Sequence, residues 1–247
     1  MKRQTNSILF VMALASQLVS LAWSASPNVT IGAGQYPTTI GIKGTWYRNA
    51  GDNNVPVTIS FTPPWDLTNG PKQATSTDVY IDKSQAYNAS NYPDATFAVM
   101  DNGPDKVYTF LKKTSTGLYM NGQSCKSNPG INIRITPSLR FFLPLPVGKT
   151  VTQRTTVIAS GGSIPLTVTS KVIAKGTVIV GAGTFNDSVM IQLKFNFGGS
   201  QPRTQIWYQW DAPYVGNVAQ IVSLDNETNE LFTTAHRYQW LKSLILP

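Results

Sequence analysis

The sequence is short of the side chains that most often carry out catalysis and bind metals. Its 247 residues include one cysteine, one histidine and two glutamates. Because Cys125 is the only cysteine, no disulfide can form within the chain. The usual zinc sites need three or four Cys, His or carboxylate ligands, and a serine hydrolase triad would have to use His236. We therefore predict no metal site and no cofactor.

Paired carboxylates, which glycoside hydrolases use, are also in thin supply. The two glutamates, Glu227 and Glu230, flank a turn, and Asp101 and Asp105 bracket another. These positions suit turn formation, because carboxylate oxygens accept hydrogen bonds from nearby backbone N–H groups. The sequence thus predicts a protein that is not an enzyme and has no catalytic residues. A hydrolase would require two carboxylates that face each other across a cleft.

The charge of the chain is unbalanced but not concentrated. There are 20 Lys and Arg against 12 Asp and Glu, which gives a formal net charge of +8. The basic residues are scattered along the sequence, whereas nucleic-acid-binding proteins cluster them on one face or helix. We therefore predict no nucleic-acid partner and interpret the charge as solvated surface.

The amino terminus has the three parts of a secretion signal. Two basic residues precede an apolar stretch over residues 8–21, and Ala22 and Ser24 supply the small residues of a cleavage site. The apolar stretch is shorter than the roughly 20 residues of a membrane span. Cys125 lies far from this segment, so it is not a lipid-attachment site. We predict a signal peptide over residues 1–24, cut after Ser24, and a periplasmic or secreted mature chain without a transmembrane helix.

Apolar and polar residues alternate with a period of two along most of the chain after the signal. Residues 164–174 and 189–197 show this pattern most clearly. A half-buried antiparallel strand produces it, because successive side chains point to opposite faces of the sheet. Further segments of this kind are residues 40–46, 57–61, 96–100, 107–111, 117–120, 131–135, 150–158, 204–210, 218–224 and 232–240. The sequence predicts an all-β fold of ten or more antiparallel strands.

Residues 62–93 interrupt this alternation. They contain Pro-Pro and Asn-Gly-Pro sequences and are rich in Ser, Thr and Asn, which are turn-forming or strand-breaking residues. We predict long loops here, with one helical turn at residues 82–87. The mature chain then divides into an N-terminal β region with long loops, residues 25–138, and a C-terminal antiparallel meander, residues 139–247, which continues the same structure.

Five aromatic residues form the one grouping that suggests binding: Trp207, Tyr208, Trp210, Tyr238 and Trp240. Strand alternation places Tyr208 and Trp210 on one face and Trp207 on the other. Such an aromatic strip can stack on sugars or line a cavity for an apolar ligand. The same residues can also serve as core and cross-strand pairs, which is the commoner use. We take these five residues as the predicted ligand-binding set.

Three short phrases occur in order in the C-terminal half: an aromatic followed by Pro-Leu-Pro-Val-Gly within residues 141–148, Gly-Thr-Phe at residues 183–185, and Trp-Tyr followed by Ala-Pro-Tyr-Val-Gly within residues 207–216. With these phrases the chain resembles a group of exported bacterial proteins of unknown function over about residues 139–225. One departure is the insertion of Gln209-Trp210-Asp211 between the Trp-Tyr and the Ala-Pro. The resemblance implies a curved antiparallel sheet or an open or half-closed β-barrel, similar in outline to periplasmic lipoprotein carriers, and carries over no catalytic residue.

Two functions are consistent with these observations. The first is a non-enzymatic secreted or periplasmic protein whose curved sheet holds an apolar or amphipathic ligand, such as a lipid, in its concave face. The alternative is a cell-surface module that binds polysaccharide through exposed aromatics. An outer-membrane barrel would also show about ten alternating strands, but 16 prolines and the polar stretches before residue 96 argue against it. The oligomeric state does not follow from the sequence.

Overall fold

The computed structural model describes residues 31–50, 53–142, 144–200 and 202–247, so the predicted signal peptide and its cleavage site lie outside the described residues. The described residues form strands and short 3₁₀ turns but no α-helix, and none of their helical turns has the length and apolar character needed to cross a membrane. The strands are β1 (Lys43–Arg48), β2 (Val55–Pro56), β3 (Trp65–Asp66), β4 (Ala74–Asp82), β5 (Phe97–Asp101), β6 (Val107–Thr114), β7 (Gly117–Ser124), β8 (Ile133–Phe142), β9 (Thr150–Ala159), β10 (Gly162–Val180), β11 (Gly183–Phe197), β12 (Arg203–Ala212), β13 (Gly216–Ser223) and β14 (Thr234–Ile245). The 3₁₀ turns are Ala33–Gln35, Lys83–Gln85, Ala89–Asn91 and Pro129–Ile131.

Twelve of these strands form one closed antiparallel barrel. β1 pairs with β4, and from β4 to β14 each strand pairs with the next one along the chain. The barrel closes where residues 43–48 of β1 pair with residues 239–245 of β14. Closure leaves no long open edge with unpaired N–H and C=O groups. The predicted all-β antiparallel fold is confirmed, and the sheet closes completely.

The strands place alternate side chains inside and outside the barrel. In β11, Val189, Ile191 and Leu193 point inward and belong to a buried cluster inside the barrel. Met190 points outward and belongs to a second buried cluster. β11 is therefore covered on both faces, which explains why apolar residues occur on either side of its alternating pattern.

Most of the second cluster lies outside the barrel, beneath a segment that crosses the outer faces of the C-terminal strands, while its members Trp46 and Leu241 face the interior. We call this segment, residues 55–71, the strap. Its β2 pairs with β14, and its β3 pairs with β10 in parallel. Between these anchors Val57, Ile59 and Trp65 pack in the same cluster as the outward-facing Trp210. The strap thus removes a large apolar outer surface from water.

The strap region differs from the sequence prediction at two places. Residues 57–61, predicted as a strand, run along the strap without a ladder partner, although the Val57 N–H donates to the Thr233 carbonyl at 2.9 Å. Part of the predicted loop region forms β4, which pairs with β1 and β5. The helical turn predicted at residues 82–87 is present as the 3₁₀ turn Lys83–Gln85.

The predicted boundary between residues 138 and 139 falls inside β8, a continuous ten-residue strand. β8 pairs with β7 on one side and with β9 on the other. The two predicted regions are therefore parts of one barrel wall.

Candidate ligand-binding cavity

The barrel contains a cavity of about 910 Å³. This volume lies near the upper end of the roughly 300–1,000 Å³ of small-molecule sites. Successive hairpins of an antiparallel barrel lie at alternate ends, so the turns after β9 and β11 share one end, and the turns after β6 and β12 share the other. Glycine-rich turns at residues 161–163 and 198–200 line the cavity at the first end, which we call the mouth.

The opposite end, which we call the floor, is closed by the segment that precedes β1. The Gln35 carbonyl accepts a hydrogen bond from the Tyr214 N–H at 2.6 Å, and Lys113 Nζ donates to the Tyr36 carbonyl at 2.6 Å. These bonds tie the segment to the turn after β12 and to the end of β6. The Tyr36 side chain lines the cavity, where its hydroxyl is hydrogen-bonded to that of Tyr80.

One wall of the cavity is apolar. It is formed by inward-facing residues of the strands from β6 to β12, which belong to or pack against the inner cluster. They are Leu111, Leu118, Met120, Ile135, Leu139, Phe141, Val157, Leu166, Phe195, Phe197 and Trp207. This wall would bury a hydrocarbon chain without leaving a polar group unpaired.

The facing wall, which we call the polar wall, carries Asp78, Arg237 and a line of amides, although Trp46 and Leu241 also line it. Gln209, Gln220 and Gln239, which we call the glutamine row, lie directly opposite one another on β12, β13 and β14. Gln220 and Gln239 line the cavity, and Gln209 shares the inward face of Trp207. Gln209 Nε2 donates to Asp211 Oδ2 at 2.9 Å, while Gln209 Oε1 has no hydrogen-bond partner among the described residues.

Asp211 lies beside the glutamine row and is 1% exposed. Its carboxylate accepts hydrogen bonds from Gln209 Nε2 at 2.9 Å and from Asn217 Nδ2 at 3.2 Å. Burial raises the pKa of Asp211 to about 6, and these two hydrogen bonds oppose that rise. The negative charge also reaches Tyr36 and Tyr80, where it adds to burial in raising the pKa of both hydroxyls.

Asp78, on β4, is the carboxylate that lines the cavity directly. Burial raises its pKa to about 7, with a further rise from the charge of Asp101. The Trp46 indole, Arg48 and Arg237 act in the opposite direction. Arg48 Nη1 lies 4.0 Å from Asp101 Oδ2, so this part of the wall holds two acids and two bases together.

A third arginine lies at the mouth. Arg203 Nη1 is 3.6 Å from Asp225 Oδ2, and the guanidinium carbon lies 4.6 Å from the centre of the Phe197 ring. Both contacts hold Arg203 against the rim, so its charge is already matched by an acid of the same barrel.

Of the five predicted ligand-binding aromatics, the structure places Trp207 in the cavity. Its indole packs against Phe195 with ring centres 4.4 Å apart, and its Nε1 donates to Gln205 Oε1 at 3.2 Å. Tyr208 and Trp210 point to the outer face, as alternation requires, and are 0% and 1% exposed beneath the strap. The Tyr208 hydroxyl donates to the Glu230 carbonyl at 2.9 Å and accepts from Gln192 Nε2 at 2.6 Å.

Tyr238 and Trp240 also lie on the outer face, beneath the strap. The Tyr238 hydroxyl donates to the Leu67 carbonyl at 3.4 Å, and Trp240 Nε1 donates to the Pro71 carbonyl at 3.2 Å. These two aromatics therefore fasten the strap to the barrel. The five residues form no common surface, because the barrel wall separates Trp207 from the other four.

Most of the polar wall was not among the residues that the sequence pattern singled out. Asp78 and Tyr80 fall in the predicted loop region, and Gln220 and Gln239 occupy the polar positions of alternating strands, which normally face water. No local pattern marks these glutamines, because Gln220 alternates with Val218 and Val222 along β13.

The turn carboxylates have local roles. Glu227 Oε1 accepts from the Thr228 and Asn229 N–H groups, and Glu230 is paired with Lys194 at 2.5 Å. Asp101 Oδ1 accepts from the Gly103 N–H at 3.0 Å. Within the described part of the chain, no group of three or more His, Cys, Asp or Glu side chains is placed to hold a metal ion.

Neither protein-family models nor curated proteins gave a match to this chain. Two solved structures are similar in fold. One is a candidate lipoprotein from Parabacteroides distasonis, with a TM-score of 0.45 and 15% identity over 88% of this chain and 99% of the other. The second is a candidate exported protein with a YmcC-like fold from Bacteroides fragilis, with a TM-score of 0.44 and 14% identity over 85% of this chain and 98% of the other. Similarity at this level assigns no ligand to the chain.

Proposed function

We propose that this protein is an exported, non-catalytic binding protein that holds an amphipathic ligand inside its barrel. The observation that carries the proposal is the cavity of about 910 Å³, which is apolar on one wall and carries most of its charged and amide side chains on the other. A hydrocarbon chain placed against the apolar wall gains roughly 25 cal/mol for each Å² removed from water. The polar wall is positioned to hold the head group of the same molecule.

The alternative, a polysaccharide-binding module, has less support. It relies on exposed aromatics, and Tyr208, Trp210, Tyr238 and Trp240 are each 9% exposed or less. A sugar ring could stack on them only if the strap moved away. The cavity, by contrast, is already open to a ligand at its mouth.

Export is supported by the N-terminal sequence. Basic residues, an apolar stretch and the small residues Ala22 and Ser24 follow one another in the order of a cleavable signal. We expect the protein recovered from outside the cytoplasm to begin at Ala25, which intact-mass measurement would show. A recovered chain that keeps residues 1–24 would contradict this part of the proposal.

Two neighbouring substitutions on β9 test whether the cavity is the binding site. Val157 lines the cavity, whereas the next residue, Ile158, is 37% exposed. We expect Val157→Trp to project an indole into the cavity, narrow it and weaken binding of the apolar fluorescent probe N-phenyl-1-naphthylamine. Ile158→Trp adds the same side chain to the other side of the strand and should bind the probe as the unmodified protein does.

Circular dichroism would establish that both variants keep the barrel. Unchanged probe binding by a folded Val157→Trp variant would exclude the cavity as the site. Native mass spectrometry of the purified protein gives an independent measurement, since a ligand acquired during expression would appear as an added mass that organic extraction removes.

A further inference from the structure

We infer that the head group of the ligand is uncharged and both donates and accepts hydrogen bonds, as a hydroxyl or amide head does, and that the cavity disfavours carboxylate and phosphate heads. This inference rests on the proposed function, because it names the class of amphiphile that the same cavity takes. Two separate features support it: the glutamine row, and the matching of cationic side chains at the cavity with acids.

The glutamine row offers both kinds of hydrogen-bonding group. Each side-chain amide carries an N–H₂ donor and a C=O acceptor, and the three amides are in register across β12, β13 and β14. Gln220 and Gln239 line the cavity, so theirs are the amides that a ligand head would meet. Gln209 is 1% exposed and lies behind them, held to Asp211 by its Nε2.

The cationic side chains around the cavity are already matched. Arg48 is 4.0 Å from Asp101, and Arg203 is 3.6 Å from Asp225. Arg237 lines the cavity together with Asp78 and attracts its carboxylate. An anionic head would therefore have to compete with an acid for each of these arginines.

Asp211 adds a further acid to this balance. The two side chains that donate hydrogen bonds to it, Asn217 and Gln209, are both neutral amides. A carboxylate or phosphate at the glutamine row would lose its hydration and lie near this unneutralised acid. Burying a charge without a partner is far more costly than burying a hydrogen-bonded neutral group, so the geometry favours the neutral head.

A comparison of three probes that share one alkyl chain tests the inference on the unmodified protein. The probes are a monoacylglycerol, the corresponding fatty acid and the corresponding alkyl phosphate, each used to displace N-phenyl-1-naphthylamine at about pH 8, where the carboxylic acid is ionised. We expect the monoacylglycerol to bind at least about tenfold more tightly than either anion, since only the anions bring an unmatched charge.

The outcomes separate this inference from the proposed function. If the naphthylamine probe and all three amphiphiles fail to bind, the proposed function is wrong and the inference falls with it. If the anions bind as tightly as the monoacylglycerol, the cavity is a ligand site but the inferred head group is wrong. Preference for the monoacylglycerol supports both.

Substitutions in the polar wall then test which side chains bind the head group. The double variant Gln220→Met and Gln239→Met keeps side-chain size and removes two amides, so monoacylglycerol binding should weaken about threefold to tenfold for each hydrogen bond lost. The loss is measured as the ratio of monoacylglycerol to naphthylamine affinity, which should fall because two apolar side chains replace the amides. The matched control is Gln85→Met, which lies on an exposed 3₁₀ turn outside the barrel.

Asp78→Asn tests the charge matching from the other side. It removes one acid that attracts Arg48 and Arg237, so the affinity of the fatty acid relative to that of the monoacylglycerol should rise several-fold over the ratio in the unmodified protein. No gain in fatty-acid binding by the folded variant would show that charge matching does not set the preference. The three-probe comparison needs no variant and decides the inference even if a substituted protein does not fold.

Discussion

At the scale of single residues, the barrel changes the pKa of the Asp78 carboxyl. Asp78 is held on the inward face of β4, where burial and the neighbouring charge of Asp101 raise its pKa to about 7. The same carboxyl in an unfolded chain has a pKa of about 3.9. In the interval between these values the folded protein binds a proton that the unfolded chain does not.

This difference predicts how Asp78 affects stability. Because the folded state binds more protons, the contribution of Asp78 to the free energy of unfolding falls as the pH rises from about 4 to about 7. Asp78→Asn removes this pH-dependent loss. We expect the free energy of unfolding of the variant, taken relative to that of the unmodified protein, to be higher at pH 8 than at pH 4 by at least about 1 kcal/mol. Urea unfolding of both proteins at the two pH values measures this.

Asp66 provides a control of opposite sign. Hydrogen bonds from the Thr68 hydroxyl and N–H lower the pKa of Asp66, so its stabilising effect is present at neutral pH and is lost on acidification. Asp66→Asn should therefore lose stability at neutral pH and little at low pH. An Asp78→Asn variant that behaved like Asp66→Asn would show that Asp78 is not buried as described.

Trp207 and Tyr208 show how much depends on a single step along a strand. The two residues are adjacent on β12, yet Trp207 lines the cavity and Tyr208 is fully buried on the outer face. The reason is the period of two in a β-strand, which sends neighbouring side chains to opposite sides of the wall. Their aromatic character is shared, but their roles are not.

At the scale of elements, the strap makes the outer face of the C-terminal strands into a core. Trp65 is 3% exposed, and its ring meets that of Trp210 edge-on with centres 6.3 Å apart. Trp65 Nε1 donates to the Ser60 carbonyl at 3.0 Å, so the indole also fixes the local path of the strap. This element has almost no ladder partners and depends on side-chain packing.

Close approach of the strap to β10 requires a glycine. A Cβ added to Gly176 would lie 2.2 Å from Pro63 Cβ, which is far inside van der Waals contact. We expect Gly176→Ala to lift the strap at this point and to destabilise the protein by about 1–3 kcal/mol, the usual cost of overpacking. Urea unfolding gives the stability, and limited proteolysis should show faster cleavage within the strap.

Gly161→Ala is the matched control for this prediction. A Cβ at Gly161 would meet nothing within 4 Å, and its backbone does not have the positive φ that favours glycine. We expect its stability and its resistance to proteolysis to match those of the unmodified protein. If Gly176→Ala gave the same result as Gly161→Ala, the strap would not lie against β10 as described.

At the scale of the whole molecule, the barrel has two apolar clusters, one fully packed and one that leaves a cavity. The outer cluster is covered by the strap and consists of buried side chains. The inner cluster is packed where it lines β10 and β11, but it leaves a cavity of about 910 Å³ unfilled. The protein therefore keeps the strap as a permanent cover and leaves the interior available to a ligand.

A ligand that fills the interior should stabilise the whole barrel. Binding to the folded state alone adds about 2.7 kcal/mol to the free energy of unfolding when the free ligand is at 100 times its Kd. We expect a monoacylglycerol to raise the Tm of the unmodified protein in a concentration-dependent way. The Val157→Trp variant, whose cavity is narrowed, should show a smaller rise, and an equal rise in both proteins would place binding elsewhere.

Many of the strands could be predicted from the local alternation of apolar and polar residues. The alternation in residues 189–197 predicts a strand that the structure contains as part of β11. β4 escaped prediction because its sequence, Ala74–Asp82, has Ser76 and Asp78 where apolar residues would mark an inward face. Those polar residues are tolerated because Asp78 and Tyr80 line the polar side of the cavity, a fact that only the closed barrel reveals.

The sequence by itself determined the secondary structure class, since period-two alternation and turn residues are local properties of the chain. It also determined which residues on each strand share a face, including the separation of Trp207 from Tyr208. Only the tertiary structure decided which face is inside. Closure of β1 onto β14 and the course of the strap bury both faces of the C-terminal strands, so hydrophobicity alone does not distinguish the lining of the cavity from the outer core.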